Sequence, residues 1–329
     1  MDIQDLALAK GRIAPYTHIT PILSSQLLNQ WLGHEIYFKA ECLQKIGAFK
    51  ARGACNTVAW LIENGQKPQQ IIANSSGNHS QAVAWAAGQF GIPATIYMPQ
   101  SASQIKIQAT RAYGAEVVLC ETRAEVDALV NAKSQENGTY WIPPYNHEQV
   151  IAGQGTAALE ALAELSGINA LFAPCGGGGL LSGTLIASRA LAPQAKVFGV
   201  EPLNANDAAQ SLISQSIQRL SSTPDTLADG AMTLSVGEIT FEYLKQLDGM
   251  YEIGEKPIKY WTQWLHHLLK VNVEPTSAMS MEAVCQWLQK QTRPQKVLVI
   301  LSGGNIDHQT RKKVWEKDYL SQLPLVQTQ

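Results

Sequence analysis

Short apolar runs alternate with amphipathic helical patterns along most of the 329 residues of this chain. Parallel strands that are buried on both faces read as short apolar runs, and the helices between them form the crossover connections. The alternation therefore predicts an α/β fold with parallel sheets. The expected strands are 35–40, 70–73, 94–98, 115–119, 170–173, 196–200 and 296–301. The expected helices are 50–63, 78–91, 103–113, 124–135, 155–166, 180–191, 256–269 and 277–289.

The composition argues against several classes of protein. Hydrophobic residues make up 45% of the chain, enough for a sizeable packed core, and the net charge of -2 gives no basic surface for nucleic acid. The sequence contains neither a lysine-rich or arginine-rich run for a membrane surface nor an apolar run of the roughly 18 residues that span a bilayer. The N-terminus lacks the order of a signal peptide. Five scattered cysteines without a CxxC pair favour reduced thiols and a cytoplasmic location.

Lys50 lies in an apolar, glycine-flanked segment, Gly47-Ala48-Phe49-Lys50-Ala51-Arg52-Gly53. Burial disfavours the charged form of a lysine, so its pKa falls and the neutral amine becomes available as a nucleophile. An amine of this kind forms Schiff bases with aldehydes such as pyridoxal phosphate (PLP). By itself, the segment is weak evidence, because a single lysine that opens a helix is usually a solvated surface charge.

Four consecutive glycines, Gly176, Gly177, Gly178 and Gly179, follow an expected strand and precede an expected helix. Glycines allow backbone amides to converge on an anion, and the N-terminus of the helix adds a favourable dipole. The segment therefore predicts a phosphate-binding loop. A dinucleotide site is the alternative, but its GxGxxG fingerprint with a later acidic residue is only partly matched by Gly177, Gly179 and Glu201.

Three further polar segments lie where expected strands end. In Ser75-Ser76-Gly77-Asn78-His79, a serine or asparagine would ordinarily cap the helix that follows, and the same geometry directs amides and hydroxyls at a carboxylate. Ser302-Gly303-Gly304-Asn305 would by itself be a turn at the end of a strand. Glu201 and Asp207 lie on either side of residues whose backbone carbonyls could serve as further ligands, and such oxygen ligands suit a hard cation. Because acidic residues near a turn are common, this pattern by itself is weak evidence of a metal site.

In their order along the chain, the lysine segment, the Ser75 segment, the glycine loop and the Ser302 segment resemble the second fold type of PLP enzymes. The branch in question holds the serine/threonine dehydratases and the serine racemases. The resemblance begins at Ile13-Ala14-Pro15-Tyr16 and Thr20-Pro21-Ile22-Leu23 and ends at the Ser302 loop. It implies two parallel-sheet α/β domains with the cofactor in the cleft between them. The large domain would comprise residues 1–69 and 146–329, and the small mobile domain residues 70–145.

The resemblance also implies a role for each segment. Lys50 would carry PLP and act as the catalytic base, the amides of the glycine loop at 176–179 would hold the phosphate, and the hydroxyl of Ser302 would meet the pyridine nitrogen. The substrate carboxylate would be bound by Ser75, Ser76, Asn78 and His79. Asn78 would also contact the ring oxygen of PLP.

By the same resemblance, a divalent cation would be bound by Glu201, the backbone carbonyl of Ala205 and Asp207. Mg²⁺ is expected first, with Ca²⁺ or Mn²⁺ as alternatives. The expected partners are a small-molecule amino acid and a second copy of the chain in a homodimer. We expect no appended amino-acid-sensing domain.

A hydroxyl at the pyridine nitrogen cannot protonate the ring as a carboxylate partner would, which makes the ring a weaker electron sink and favours β-elimination over transamination. Together with the resemblance, this chemistry predicts an ammonia-lyase whose default substrates are L-serine and L-threonine. Ser76 leaves a serine racemase open, because threonine dehydratases usually have alanine there and a hydroxyl opposite Lys50 could exchange the α-proton. Arg123, if it enters the cleft, would support a threo-3-hydroxyaspartate dehydratase.

Two further alternatives are disfavoured by residues of the chain. A regulatory protein that binds the cofactor but has lost catalysis is disfavoured by the presence of Lys50. A β-replacement enzyme of the cysteine-synthase kind is disfavoured by the Ser302 segment together with Glu201 and Asp207.

Overall fold

The computed structural model describes residues 1–75 and 77–324. The strands of these residues are β1 (Ile22–Leu23), β2 (Glu35–Ala40), β3 (Gln70–Asn74), β4 (Ala94–Pro99), β5 (Glu116–Cys120), β6 (Thr139–Trp141), β7 (Ala170–Pro174), β8 (Lys196–Pro202), β9 (Gly249–Ile253) and β10 (Lys296–Leu301). The helices are α1 (Ile3–Ile13), α2 (Gln26–Leu32), α3 (Lys50–Glu63), α4 (Asn78–Gln89), α5 (Gln104–Ala112), α6 (Arg123–Lys133), α7 (Glu148–Glu164), α8 (Gly179–Leu191), α9 (Asp207–Ser214), α10 (Glu238–Leu244), α11 (Glu255–Leu269), α12 (Pro275–Ala278), α13 (Ser280–Leu288) and α14 (His308–Val314).

The strands form two separate sheets. One has six strands in the order β1-β2-β10-β7-β8-β9, in which β1 is antiparallel to β2 and the other neighbours are parallel. The other has four parallel strands in the order β5-β4-β3-β6 and is built entirely from residues 70–141. The predicted α/β fold with two parallel sheets is confirmed. The division into domains at residues 70 and 145 stays a prediction.

Helix α3 lies between the two sheets. It packs on α7, where the approach is so close that a Cβ on Gly153 would lie 2.6 Å from the Cα of Gly53. It also packs on α4, and its buried residues share a hydrophobic cluster with β3 and β4 of the four-stranded sheet. Because Lys50 is the first residue of α3, its side chain is placed near the junction of the two sheets.

Four buried charges fix the position of α3. The guanidinium of Arg52 donates to Glu41 (2.7 Å), which follows β2, and to Glu160 (2.7 Å) of α7. Arg52 binds both oxygens of Glu160, and Lys39 of β2 donates to one of them at 2.6 Å. Two cations thus face two carboxylates, and since buried charges are tolerated only when they are paired and hydrogen-bonded, each partner constrains the other three.

The elements predicted from sequence agree with the structure at the strands and differ in several helices. Each of the seven predicted strands is present, with ends within two residues of those expected. Helix α7 begins at Glu148 and not at 155, because His147 caps it and Gly153 lies within the helix, where it allows the close contact with α3. The elements that the sequence did not predict are short or half-exposed, with the exception of the amphipathic α1. They are β1, β6, β9, α1, α2, α9, α10 and α14.

The charge network predicts a large effect of one conservative substitution. Glu160→Gln should lower the free energy of unfolding by about 3 kcal/mol, because Arg52 and Lys39 would remain buried without their shared carboxylate. Urea unfolding of the purified protein measures this change. Glu164→Gln, at the exposed end of the same helix, is the matched control, with an expected change within about 0.5 kcal/mol. Equal changes in the two variants would contradict the role given to the network.

Candidate active site

The amine of Lys50 is half-buried, and its Nζ donates to the backbone carbonyl of Pro144 at 2.5 Å. Desolvation lowers the pKa of Lys50 to about 8. An ordinary lysine is almost entirely protonated at neutral pH, whereas this one has a substantial neutral fraction. The nucleophile expected from the sequence is therefore available in the folded protein.

The backbone before Lys50 is joined to the loop that follows β10. The amide of Phe49 donates to the carbonyl of Ser302 and the amide of Gly304 donates to that of Gly47, both at 2.9 Å. Ser302 is buried, and its hydroxyl lies 2.9 Å from the hydroxyl of Ser277 in α12. These bonds hold the lysine and the neutral hydroxyl of Ser302 in a fixed relation to each other.

The glycine loop follows β7, and α8 begins at its last residue, Gly179. Gly178 has a φ of 92°, a left-handed conformation that favours glycine. A Cβ on Gly177 would overlap the ring of Tyr145, and one on Gly178 would lie 2.9 Å from the Cβ of Thr240. The loop therefore has space only for backbone, and its amides at the N-terminus of α8 can approach a phosphate directly. The residues present fit the phosphate of PLP.

The N-terminus of α4 contains the predicted carboxylate-binding segment. The amide of Gly77 donates to the hydroxyl of Ser75 at 3.2 Å. The side-chain nitrogen of Asn78 donates to Glu274 at 3.1 and 3.3 Å, and its oxygen accepts from Asn305 at 2.9 Å. Ser76 lies outside the described residues, so its predicted role rests on the sequence alone.

The imidazole of His79 is buried and neutral. Burial and the charge of Lys50 lower its pKa to about 3. Its Nε2 lies 2.8 Å from the carbonyl of Ile142, and because a carbonyl only accepts, Nε2 carries the hydrogen. Nδ1 has no hydrogen-bond partner among the described residues and can only accept. The ring therefore has no donor left for a carboxylate, and the backbone amide of His79 is the group that could provide one.

Further polar side chains near the site were not predicted from the sequence. Glu274, which immediately precedes α12, is buried against the N-terminus of α4, and burial together with Asp229 raises its pKa. Lys106 of α5 forms an ion pair with Asp229 in the segment between β8 and β9. The hydroxyl of Thr233 is buried without a partner among the described residues, beside Gly176. The only signal for Glu274 in the sequence is its place directly before Pro275 at the start of a helix.

In the part of the chain that the structure describes, Arg123 does not make a hydrogen bond to these site residues. Its side chain is 48% exposed and donates to Asp127 at 3.1 Å. Asp127 also accepts from Asn74 at 2.8 Å, at the end of β3 and next to Ser75. Two side chains, those of Asp127 and Asn74, thus lie between Arg123 and the carboxylate-binding segment.

The predicted cation ligands lie between the end of β8 and the start of α9. Both oxygens of Glu201 accept from backbone amides, those of Ala208 at 3.2 Å and Ala209 at 2.7 Å. One oxygen of Asp207 is buried and has no hydrogen-bond partner within residues 1–75 and 77–324. Burial raises the pKa of Glu201 to about 9 and that of Asp207 to about 7. Among the described residues, no cluster of three or more His, Cys, Asp or Glu side chains could hold a metal. The donor set would therefore comprise two carboxylates and the carbonyl of Ala205, and the unpaired oxygen of Asp207 fits such a site.

A comparison with models of protein families shows the family to which this chain belongs. The model of the family described as "Pyridoxal-phosphate dependent enzyme" matches residues 13–303. The chain belongs to this family.

Relatives of known activity support the same assignment. The L-threo-3-hydroxyaspartate ammonia-lyase of Saccharomyces cerevisiae is 43% identical over 308 residues, covering 92% of this chain and 93% of that protein. The serine racemase of Dictyostelium discoideum is 38% identical over 316 residues, covering 95% and 97%. The crystal structure of a threonine deaminase from T.th. has a TM-score of 0.87 and 43% identity, covering 93% of this chain and 99% of that one.

The chain is therefore a PLP-dependent enzyme of the lyase/racemase type, with the second fold type of PLP enzymes. The cofactor expected from the lysine and the glycine loop is confirmed as PLP by the family. Within the described residues, no helix is both long enough and apolar enough to cross a bilayer.

The lowered pKa of Lys50 predicts how PLP uptake depends on pH. Only the neutral amine attacks an aldehyde, so the rate should rise with pH and level off above about 8, and not near the usual lysine value of 10.5. Stopped-flow absorbance after mixing the PLP-free protein with PLP measures this profile. Lys45→Ala, in the same segment, should leave the profile unchanged. A rate that still rises steeply between pH 9 and 10 would contradict the burial argument.

Proposed function

We propose that the protein is a PLP-dependent ammonia-lyase that converts β-hydroxy amino acids, with L-serine and L-threonine as default substrates, to a 2-oxo acid and ammonia. The observation that carries the proposal is the neutral hydroxyl pair of Ser302 and Ser277, tied to the segment of Lys50 by backbone hydrogen bonds. A neutral partner at the pyridine nitrogen favours elimination over transamination, as argued from the sequence.

Each segment of the site would then bind one part of the cofactor. Lys50 would carry PLP, Gly176, Gly177, Gly178 and Gly179 would donate backbone amides to its phosphate, and Ser302 and Asn78 would contact its ring. When bound, PLP supplies an electron sink that makes the α-proton of an attached amino acid acidic.

The chain itself would supply the proton transfer and the orientation of the substrate. The amine of Lys50, with its lowered pKa, is a competent base for the α-proton, and the carbonyl of Pro144 holds this amine when it is free. The hydroxyl of Ser75 and the backbone amides of Asn78 and His79 at the N-terminus of α4 would bind the substrate carboxylate. The α-proton would pass to the amine of Lys50, and a protonated group of the site would donate a proton to the β-hydroxyl so that it leaves as water. The released enamine would then tautomerise and take up water to give the 2-oxo acid and ammonia.

Lys50→Ala should abolish the release of ammonia and 2-oxo acid from L-serine and L-threonine, because both the attachment point and the base are lost. Ammonia release by the PLP-loaded enzyme measures activity, and far-UV circular dichroism shows whether the fold is intact. Lys45→Ala is the control and should retain activity. Appreciable turnover by a folded Lys50→Ala variant would refute the assignment.

A serine racemase is the second candidate, favoured by Ser76 and by the 38% identity to the serine racemase of Dictyostelium discoideum. If Ser76 exchanges the α-proton on the face opposite Lys50, Ser76→Ala should abolish the formation of D-serine and largely spare elimination from L-serine. Chiral chromatography of the products, together with the 2-oxo acid assay, measures both reactions. Unchanged formation of D-serine by the variant would contradict this role.

A preference for threo-3-hydroxyaspartate is a third possibility, favoured by the 43% identity to the ammonia-lyase of Saccharomyces cerevisiae. Its second carboxylate needs a cation, and Arg123 could provide one by leaving Asp127. Lys106 is the less suitable cation, because its neighbours Asp229, Glu274 and Asp307 are all acidic. The ratio of kcat/KM for this substrate to that for L-serine decides between the two preferences.

Residues 70–145 are proposed to move as a small domain against the remainder of the chain. The ion pair between Lys106 and Asp229 and the bond from Asn78 to Glu274 cross from one to the other and would hold the closed state. We further propose a homodimer in the cytoplasm, and the five free cysteines are compatible with a reducing compartment.

A divalent cation, Mg²⁺ first, is proposed to bind Glu201, the carbonyl of Ala205 and Asp207. Millimolar Mg²⁺ should raise the thermal unfolding temperature of the protein, and Glu201→Gln should remove most of this increase because it replaces a charged ligand. Asp225→Asn, a nearby exposed substitution, is the control and should retain the full increase. The same increase in Glu201→Gln would place the cation elsewhere.

A further inference from the structure

A chain of side-chain hydrogen bonds links the segment before Lys50 to the N-terminus of α4. The side-chain nitrogen of Asn305 donates to the carbonyl of Ile46 at 2.7 Å and to the side-chain oxygen of Asn78 at 2.9 Å. The nitrogen of Asn78 in turn donates to the carboxylate of Glu274, at 3.1 and 3.3 Å to its two oxygens. This series of hydrogen bonds thus runs from the carbonyl of Ile46 through the side-chain amides of Asn305 and Asn78 to the carboxylate of Glu274.

The two ends of this chain determine the orientation of both amides. A backbone carbonyl can only accept, so the nitrogen of Asn305 must face Ile46, and both of its hydrogens are used. An ionised carboxylate also only accepts, so the nitrogen of Asn78 must face Glu274. If the amide of Asn78 were rotated by 180°, its oxygen would face the Glu274 carboxylate and its nitrogen would face the nitrogen of Asn305. The contacts with the two oxygens of Glu274 and the hydrogen bond from Asn305 would all be lost.

Close packing confines the two groups that hold Asn78. A Cβ on Gly47 would lie 2.8 Å from the side-chain oxygen of Asn305, and one on Gly303 would lie 2.7 Å from Glu274. Glu274 is 2% exposed, so no bulk water competes for its carboxylate. Ile46 has a φ of 59°, a strained conformation for a β-branched residue, and the bond from Asn305 to its carbonyl helps to hold it.

We propose that Glu274 and Asn305 are positioning residues that hold the side-chain amide of Asn78 in one orientation, with one of its N–H groups left to donate to the ring oxygen of PLP. The inference rests on the contact between Asn78 and the ring in the proposed function. The bond to Glu274 is shared between the two carboxylate oxygens and occupies one hydrogen of the Asn78 nitrogen, so the second hydrogen is available. An amide that is oriented before the cofactor binds loses no free energy to reorientation.

Two substitutions test the proposal through PLP affinity. In Glu274→Gln, the new amide can donate as well as accept, so Asn78 is no longer held in one orientation. In Asn305→Asp, the donor to both Asn78 and Ile46 is lost. Each should weaken PLP binding about tenfold, the effect of losing one well-oriented hydrogen bond to a charged or partly charged group. The dissociation constant is measured by visible absorbance on titration of the PLP-free protein at pH 8.5, where the Glu274 carboxylate is ionised despite its raised pKa.

The decisive comparison uses an Asn78→Ala background. If Glu274 acts through Asn78, then Glu274→Gln should weaken PLP binding about tenfold in the natural sequence and have no further effect in Asn78→Ala. The visible circular dichroism of bound PLP should follow the same pattern, whereas a merely structural effect would add in both backgrounds. Glu282→Gln in α13, hydrogen-bonded to Trp261, is the control and should bind PLP normally.

The outcomes separate this inference from the proposed function. An equal loss of affinity from Glu274→Gln with and without Asn78 would overturn the positioning role but leave the ammonia-lyase intact. Unchanged PLP affinity and spectrum in Asn78→Ala would overturn the ring contact and the inference with it. Neither result depends on the ammonia assay with Lys50→Ala, which tests the reaction itself.

Discussion

The position of Lys50 depends on the buried charges two residues further along α3. Arg52 is bonded to Glu41 on the strand side and to Glu160 of α7, and Lys39 completes the set. An arrangement of this kind contributes little net stability compared with apolar side chains, but any displacement of α3 would leave a buried charge without its partner. The network therefore restricts the helix to one placement, and with it the amine that opens the helix.

The site is built from groups that stay neutral or are already hydrogen-bonded. The amine of Lys50 is partly neutral, the imidazole of His79 is neutral, and Ser302 offers a hydroxyl bonded to Ser277. The charged side chains described near the site have partners, since Glu274 accepts from the amide of Asn78 and Lys106 is paired with Asp229. A site of this kind can bind an anionic cofactor through backbone amides and helix N-termini, with little competition from fixed charges.

The sequence draws attention to residues that follow strands, but not to residues brought in by distant segments. The glycine loop, Ser302 and the segment at Ser75 stand out because each directly follows an expected strand, and their roles in the site stay predictions that the resemblance implies. Glu274 could not be found in this way, since its role depends on a contact with Asn78 that is 196 residues distant. The strands β6 and β9 were missed because their half-exposed residues lack the continuous apolar run of the central strands. The sequence suggested His79 as a residue that binds the substrate carboxylate, and the contact with Ile142 shows that the N–H of its ring is already used.

The most direct test of this account is to locate the lysine that carries the cofactor. The PLP-loaded protein is treated with borohydride, which reduces the Schiff base to a stable amine, and is then digested and analysed by mass spectrometry. The account predicts a single modified peptide with the phosphopyridoxyl group on Lys50. Modification of another lysine, with Lys50 recovered unmodified, would contradict it.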